Sequence, residues 1–337
     1  MELGDYRAQI DEIDHKLVEL FAKRMDVAAG IAAYKKEHGL PVLDPVRERE
    51  KLQKTVQSAP EALRDYTASL YSLLFELSRC YQNRLLGGDT ALTREIQTAM
   101  DETPKLFPTQ ASVACQGVAG AYSQLACDKL FKLPNIMYFA SFEAVFAAIE
   151  KGLCRYGVLP LENSTAGSVN AIYDLMMKHD FRIVRSVRLK VDHNLLVKPG
   201  TRREDITEIY SHQQALTQCQ RYLQGFPGVK LIPCENTAVA ARKVAEGDGH
   251  IAALSSRSCM KLYWLECLEA SVQDQGNNFT RFICIAKELE IYPGADRTSL
   301  MVVLPHRPGS LYQVLSRFYA LGINLNKLES RPIPERN

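Results

Sequence analysis

Gly157-Val-Leu-Pro-Leu-Glu-Asn-Ser-Thr-Ala-Gly-Ser-Val169 is the stretch on which the fold turns. The apolar run from Tyr156 to Leu161 has the length and composition of a buried strand. It stops on four polar side chains, Glu162-Asn163-Ser164-Thr165, followed by Gly167 and a helix start at Ser168. Asn, Ser, Thr and Gly are ordinary turn formers. Glu162 is the exception, because turn geometry does not require a carboxylate. A strand that hands over to a helix through such residues belongs to an open α/β sheet, where ligands sit beyond the carboxyl ends of the strands.

The same alternation extends over residues 111–287. Strands are expected at Ser112–Cys115, Ile136–Phe139, Gly157–Leu161, Ile183–Val197, Ile209–Ser211, Val229–Ile232, Ile251–Ser255 and Arg281–Ala286. Helices follow Ser123 as far as Leu130 and run from Phe142 to Ile149 behind a Ser141 cap. This pattern predicts mostly parallel sheets covered by helices. Gly117 and Gly120 lack the third glycine and the downstream acid of a dinucleotide fingerprint, so no nicotinamide cofactor is expected, nor any other. Three more polar clusters end strands: Tyr210-Ser-His-Gln-Gln-Ala215 before a helix containing Gln218, Glu235-Asn-Thr237, and Asn277-Asn-Phe-Thr-Arg-Phe282. Each alone has a turn or cap explanation. Several in one domain favour a cleft.

These stretches resemble the prephenate dehydratase family. Gly117-x-x-Gly-x-Tyr-Ser123, Pro160-Leu-Glu-Asn-Ser164, Tyr210-Ser-His212 and Asn278-Phe-Thr-Arg-Phe282 match its motifs in order, and Gln213 departs from them where relatives often carry proline. The resemblance implies two α/β lobes, similar to periplasmic binding proteins, with substrate between them. It places Thr280 near the departing hydroxyl of prephenate. It also implies that Asn163, Ser211, Gln218 and Thr237 orient the substrate. Glu162 would be a proton source only if burial raised its pKa. His212 and Arg281 are as readily loop ties as catalytic groups.

Upstream, Asp5 to about Lys36 contains no proline and one glycine. Ile10, Ile13, Leu17, Leu20, Val27 and Ile31 form one helical stripe, and Arg7, Arg24 and Lys35 fall on the same seam. Arg7 and Lys35 sit near helix ends, where long cations snorkel. Arg24 lies mid-helix, where an unpaired buried guanidinium would cost several kcal/mol. An anion should meet it. Arg24 and Lys35 are eleven positions apart, about 16 Å of helix, and could share one small dianion. Arg7 is seventeen positions from Arg24, about 25 Å, and cannot reach the same ligand from the same chain. If all three serve ligands, a second, antiparallel chain is needed.

Gly39-Leu40-Pro41 ends this helix, and Asp44-Pro45 caps a short one carrying Arg47 and Glu48. A third helix starts near Pro60-Glu61, places Ser78 and Gln82 on one face, and stops at Gly87-Gly88. Arg7, Arg24, Lys35, Asp44, Arg47, Glu48, Ser78 and Gln82 resemble, in type and spacing, the active-site set of the all-helical chorismate mutases. That resemblance implies a helical dimer in which Arg7 serves the partner's pocket. It also implies that Lys35 and Gln82 donate to the ether oxygen of chorismate and that Glu48 holds the substrate hydroxyl.

Residues 89–110 read as a linker with a short helix near Leu92–Met100, and Lys287–Asp296 as a second linker. Beyond it, Ser299–Leu304 and Ile323–Leu328 are expected strands around a helix that begins at Gly309-Ser-Leu and ends near Gly322. Gly309-Ser310-Leu311 and Glu329-Ser330-Arg331-Pro332 resemble the phenylalanine-binding motifs of the ACT regulatory domain. From Thr298 onward 40 residues remain, enough for one helix and two strands of a ferredoxin-like unit. The expectation is a partial ACT segment over 298–337 and a weakened response to phenylalanine.

The 337 residues suffice for two or three domains, and a net charge of +2 gives no basis for a nucleic-acid surface or a polybasic membrane patch. Nothing resembles a membrane span or signal peptide, and nine cysteines without a Cys-x-x-Cys pair suit a reducing cytoplasm and no metal. The expected organisation is a helical mutase domain over 1–88, an α/β dehydratase domain over 111–287 and the partial ACT tail. Together the resemblances imply a bifunctional chorismate mutase and prephenate dehydratase of phenylalanine synthesis. The rival reading is a sensor, a cleft domain with an ACT-like tail that binds a small molecule without chemistry.

Overall fold

The computed structural model describes residues 2–87, 90–306 and 308–333. Gly88 and Asp89, where the first linker was expected to open, and residues 334–337 of the tail segment lie outside them. The chain divides into two compact units, Met1–Arg94 with Leu300–Ser330 and Glu95–Ser299 with Arg331–Asn337. No described helix is long and apolar enough to cross a membrane.

The first unit is helical. Helix α1 (Leu3–Glu37) is about 52 Å long at 1.5 Å per residue. Asp5 accepts from the Glu2 backbone at its start, and it ends at His38 before Gly39 at φ +64°. Helix α2 (Pro45–Ser58) opens as expected, with the Asp44 carboxylate accepting from Arg47 N at 3.0 Å and Pro45 in the first turn. A 3-10 turn at Glu61–Leu63 leads into α3 (Arg64–Leu86), which packs against both α1 and α2. Helix α4 (Ala91–Glu102) spans the division between the units. Within one chain α1 buries only Ala28 and Ala32. Ile10, Ile13, Leu17, Leu20, Val27 and Ile31 remain 45–64% exposed. The predicted apolar stripe exists, but this chain does not cover it.

The second unit is a pair of sheets. In chain order its elements are β1 (Gln110–Gln116), α5 (Tyr122–Leu130), β2 (Leu133–Phe139), α6 (Phe142–Glu150), β3 (Tyr156–Asn163), β4 (Gly167–Ser168), α7 (Asn170–Met176) and β5 (Arg182–Lys190). The chain then builds β6 (Asn194–Val197), β7 (Glu208–His212), α8 (Gln213–Gln218), α9 (Gln220–Leu223), β8 (Lys230–Cys234), α10 (Thr237–Glu246), β9 (Ile251–Ser255), α11 (Ser258–Tyr263) and β10 (Glu266–Glu269), and returns through β11 (Phe279–Ala286). One sheet has the order β2-β1-β3-β11-β5 with β4 beside β3, and the other has β10-β6-β9-β7-β8.

The sheets are mixed rather than mostly parallel. β1 runs parallel to β2 and β3, whereas β11 is antiparallel to β3 and β5. In the second sheet β7 is parallel to β8 and β9, and β6 is antiparallel to both of its neighbours, β9 and β10. The cause is topological, because β11 comes back from the other sheet and enters the first from the opposite end. The expected single strand Ile183–Val197 is two strands in two sheets, broken at Val191–His193. There the Asp192 N–H donates to Tyr122 Oη at 3.1 Å and the His193 N–H to Gln273 Oε1 at 2.9 Å, which removes both from any ladder. β10 was not expected, since two of its four residues are glutamates on a sheet edge.

Each sheet has a core on both faces. Against the first pack Phe146, Leu159, Ile172 and Ile283 on one side, and Val113, Phe131, Tyr156 and Phe282 on the other. Gly157 is required by this packing, because a Cβ there would lie 2.5 Å from Ile149 Cδ1 of α6. The second sheet buries Leu195, Ile209 and Leu254 on one face and Leu196, Ala240 and Val244 on the other.

Among the described residues after β11 one element forms, α12 (Ser310–Ala320), against α3. The helix was expected, but the strands at 299–304 and 323–328 are not formed. Their alternation is strand-like, yet a strand needs a neighbouring strand for its N–H and C=O groups, and none pairs with either segment. Among the described residues the tail is therefore a helix with irregular flanks. Arg317 of α12 donates to Glu76 at 2.5 Å. Burial disfavours the Glu76 carboxylate, but hydrogen bonds from Arg317 and Arg79 outweigh it and hold the pKa below its usual value.

Candidate functional sites

In the helical unit the mid-helix cation is met by neutral oxygens of this chain and not by the anion expected for it. Arg24 Nη1 donates to the Ser78 hydroxyl and, at 3.2 Å, to the Leu74 carbonyl, with Phe75 beside its guanidinium. Ser78 and Gln82 are both buried one turn apart on α3. Gln82 Oε1 has no hydrogen-bond partner. A buried amide oxygen left unpaired costs about 1–3 kcal/mol, which a ligand or water would recover. Lys35 Nζ, partly buried, donates to the Val42 carbonyl at 2.6 Å, which brings the end of α1 to the loop before α2.

Glu48 is held by Arg79, which also pairs with Glu76, so one guanidinium spans two carboxylates. Arg79 was not singled out from the sequence, where a Glu76/Arg79 pair at i,i+3 looks like a solvated helix face. Asp44 is occupied in capping α2. Arg47 is exposed, and Arg7 is exposed near the start of α1. The structure thus joins Arg24 to Ser78 and orients Glu48, while Arg7 remains outside this cluster.

In the α/β unit the organising stretch ends where the two sheets meet. β3 carries Glu162 and Asn163 to its end, β11 begins at Phe279-Thr280, and the two strands pair with Thr280 opposite Asn163 and Arg281 opposite Glu162. Asn163 Oδ1 accepts from the backbone N–H groups of Thr165 and Ala166 at 3.0 and 2.9 Å. Its Nδ2 donates to Thr280 Oγ1 at 2.9 Å and to Asn278 Oδ1 at 2.8 Å. Gln218, from α8 on the other sheet, donates to Thr165 Oγ1 at 2.8 Å and accepts from Asn278 Nδ2 at 2.8 Å. His193 Nε2 lies 2.9 Å from Gln218 Oε1. Asn163, Gln218 and Thr280 are therefore one connected cluster, completed by Thr165, Asn278 and His193. Thr165 and Asn278 lay within the quoted motifs without being chosen. His193 gave no signal, since it sat inside what read as a continuous strand.

The remaining residues take other partners. Glu162 faces Arg281 at 3.4 Å, and its side chain is 30% exposed. Ser211 is buried and donates to the Leu254 carbonyl at 2.7 Å. Thr237 is buried at the start of α10, where Asn236 caps the helix and Ser255 donates to the Thr237 carbonyl. Neither Ser211 nor Thr237 joins the Asn163 cluster by a direct hydrogen bond. His212 caps α8, its Nδ1 accepting from Gln214 N at 3.3 Å, and burial lowers its pKa, as suits an acceptor. Gln213 occupies the first position of α8, where proline is readily tolerated, so this departure leaves the local backbone intact. Gly120, at φ +88°, lets the β1–α5 loop lie on α11 of the other lobe, because a Cβ there would be 2.8 Å from Cys259 Sγ.

The tail motifs fall on both sides of the division between the units. Gly309, Ser310 and Leu311 open α12, with Ser310 buried and Leu311 half-exposed. Glu329 and Ser330 are exposed, and Arg331, followed by Pro332, makes a bidentate pair with Asp174 of α7 at 2.7–2.9 Å.

Comparison with known proteins adds the following. The Prephenate dehydratase family model matches residues 113–290, and the Chorismate mutase type II model matches residues 6–83. A bifunctional chorismate mutase/prephenate dehydratase of Aquifex aeolicus is 31% identical over 335 residues, covering 98% of this chain and 86% of that protein. Arogenate dehydratase/prephenate dehydratase 1 of Arabidopsis thaliana is 40% identical over 228 residues, and the match spans 66% of this chain and 58% of the plant protein. The solved prephenate dehydratase of Staphylococcus aureus superposes with a TM-score of 0.57 at 25% identity, over 67% of this chain and 85% of that one.

Proposed function

The chain belongs to the family of bifunctional chorismate mutases/prephenate dehydratases, and on that premise we propose that its helical unit rearranges chorismate to prephenate and its α/β unit converts prephenate to phenylpyruvate. The observation that supports this beyond likeness is the presence of two polar constellations that share no residue, one on α1–α3 and one at the meeting of β3, β11 and α8.

The rearrangement is unimolecular and needs no nucleophile or proton transfer. The pocket's work is to hold a dianion in its folded, reactive conformer. Arg24 and Arg47 would take carboxylates, with Ser78 orienting Arg24 and Asp44 setting the turn that carries Arg47. Lys35 and the buried amide of Gln82 would donate to the ether oxygen, where negative charge grows in the transition state. Glu48, steered by Arg79, would hold the substrate hydroxyl. The exposed stripe on α1 supports a homodimer: burying six such aliphatic side chains at about 1.5–3 kcal/mol each favours a partner helix. An antiparallel partner would bring its own Arg7 to this pocket.

In the dehydration, the bond to the ring carboxylate breaks, its electron pair enters the ring, and the ring hydroxyl leaves as water once protonated. Aromatisation drives the step. Thr280 would donate a hydrogen bond to the departing hydroxyl, and Asn163, Gln218, Ser211 and Thr237 would line the substrate's path. Glu162, opposite Arg281, is the carboxylate at this strand end that would supply a proton if its surroundings hold it protonated. Phenylalanine should inhibit the dehydratase only weakly, because among the described residues no strand forms beside the helix that Gly309–Leu311 opens.

The test is chemical. Given chorismate alone, the purified chain should release phenylpyruvate with one carbon dioxide per turnover. A sensor would bind chorismate or prephenate and return it unchanged.

A further inference from the structure

The polar cluster at the lobe junction has a fixed direction, and that direction can be read without ambiguity. Backbone N–H groups only donate, so the Asn163 atom facing Thr165 N and Ala166 N must be its oxygen. Its amide nitrogen therefore faces Asn278 and Thr280. The Asn278 atom that meets it is then an oxygen, which leaves the Asn278 nitrogen to face Gln218. The Gln218 atom there is in turn an oxygen, and the imidazole nitrogen 2.9 Å from it must carry a proton. His193 is thereby held as the Nε2–H tautomer. Its Nδ1 is a lone pair, buried and without a partner. At the other end Thr280 Oγ1 is already an acceptor from Asn163, so its own hydroxyl proton is directed elsewhere.

His193 is well placed to terminate such a chain. It lies in the segment crossing between β5 and β6, and only 3% of it is exposed. Its backbone is tied to the second crossing segment, through His193 N to Gln273 Oε1 and Val272 N to the His193 carbonyl at 2.8 Å. Beside it, Val191 N donates to the Asn278 carbonyl at 2.8 Å. Both passages of the chain between the lobes are thus bonded to each other at the residue that ends the cluster.

We propose that His193 is a positioning residue of the dehydratase site: its Nε2–H fixes the orientation of the Gln218 amide, and through Asn278 and Asn163 leaves the Thr280 hydroxyl free to donate. This rests on the dehydratase reading of the cleft. His193 is not itself the proton source, because its one proton is committed to Gln218 and its free nitrogen can only accept. Burial lowers its pKa, in keeping with a neutral ring.

The experiment compares His193→Leu, which keeps bulk but removes the donor, with His193→Gln, whose amide nitrogen can reach the Nε2 position. His193→Leu should lower kcat for prephenate about 10- to 100-fold, the scale of a misoriented catalytic group, with KM changed less than about threefold. His193→Gln should recover to within about fivefold of wild type. Calorimetric binding of prephenate and a cooperative thermal transition of the α/β unit in the same preparations report that this unit is folded in each variant. A folded His193→Leu with wild-type kcat, or a His193→Gln as slow as His193→Leu, overturns the proposal. The tautomer is a readout independent of turnover: imidazole 15N shifts of His193 should show protonated Nε2 and bare Nδ1, and the reverse pattern would overturn the proposal even if the cleft proved to have another substrate.

Discussion

Thr280→Ala is expected to slow prephenate dehydration by about 10²- to 10⁴-fold, the range seen when an assisting proton donor is removed, while chorismate rearrangement continues at the wild-type rate. A threonine hydroxyl is far too weak an acid to give up its proton freely. What it offers is a positioned O–H, and Asn163 makes that offer directional by occupying the oxygen as an acceptor at 2.9 Å. The substituted chain would keep Asn163, Asn278 and Gln218 bonded to one another, so the loss should fall on kcat and leave substrate affinity nearly unchanged. A loss below about tenfold would make Thr280 a binding residue and shift the proton delivery to another group in the cleft.

Lys35→Ala should have the opposite selectivity. Removing a cationic donor aimed at a developing negative charge costs about 10²–10³ in turnover, and here it should fall on chorismate while prephenate is still dehydrated. The Lys35 ammonium now rests on the Val42 carbonyl at 2.6 Å, a neutral partner that a substrate oxygen can replace. The same variant tests the reach of Arg7. If Arg7 serves the partner's pocket, mixing Arg7→Ala and Lys35→Ala chains restores roughly a quarter of wild-type mutase activity, because random pairing makes half the dimers mixed and each has one undamaged pocket. Mixtures that stay inactive after subunit exchange would place Arg7 in its own chain's pocket.

The parts of this molecule that could be read from sequence are those fixed by local chemistry. The β3 strand and its polar end, the Asp44-Pro45 start of α2, and the Ser78/Gln82 pair on α3 depend on neighbours a few residues away. What could not be read depends on partners far along the chain. The break between β5 and β6 has no glycine or proline to announce it. It is made by Tyr122 and Gln273, some 70 and 80 residues away, which capture the N–H groups of Asp192 and His193. The antiparallel direction of β11 follows from where the chain crosses between sheets, which periodicity does not encode. The tail illustrates the converse: alternation at 299–304 and 323–328 is strand-like, but a strand is completed by its neighbour. In the helical site the same limit hid Arg79, whose role appears only when α2 brings Glu48 beside it.

The central claim is that one chain carries two separate sites joined by prephenate, and its most direct test is to give chorismate to Lys35→Ala, to Thr280→Ala and to their equal mixture. The first should leave chorismate unconsumed and the second should accumulate prephenate. The mixture should again form phenylpyruvate, because prephenate made at the intact mutase sites is dehydrated at the intact clefts. A mixture that produces none, from two variants that are each folded and active in their undamaged half, would contradict the account.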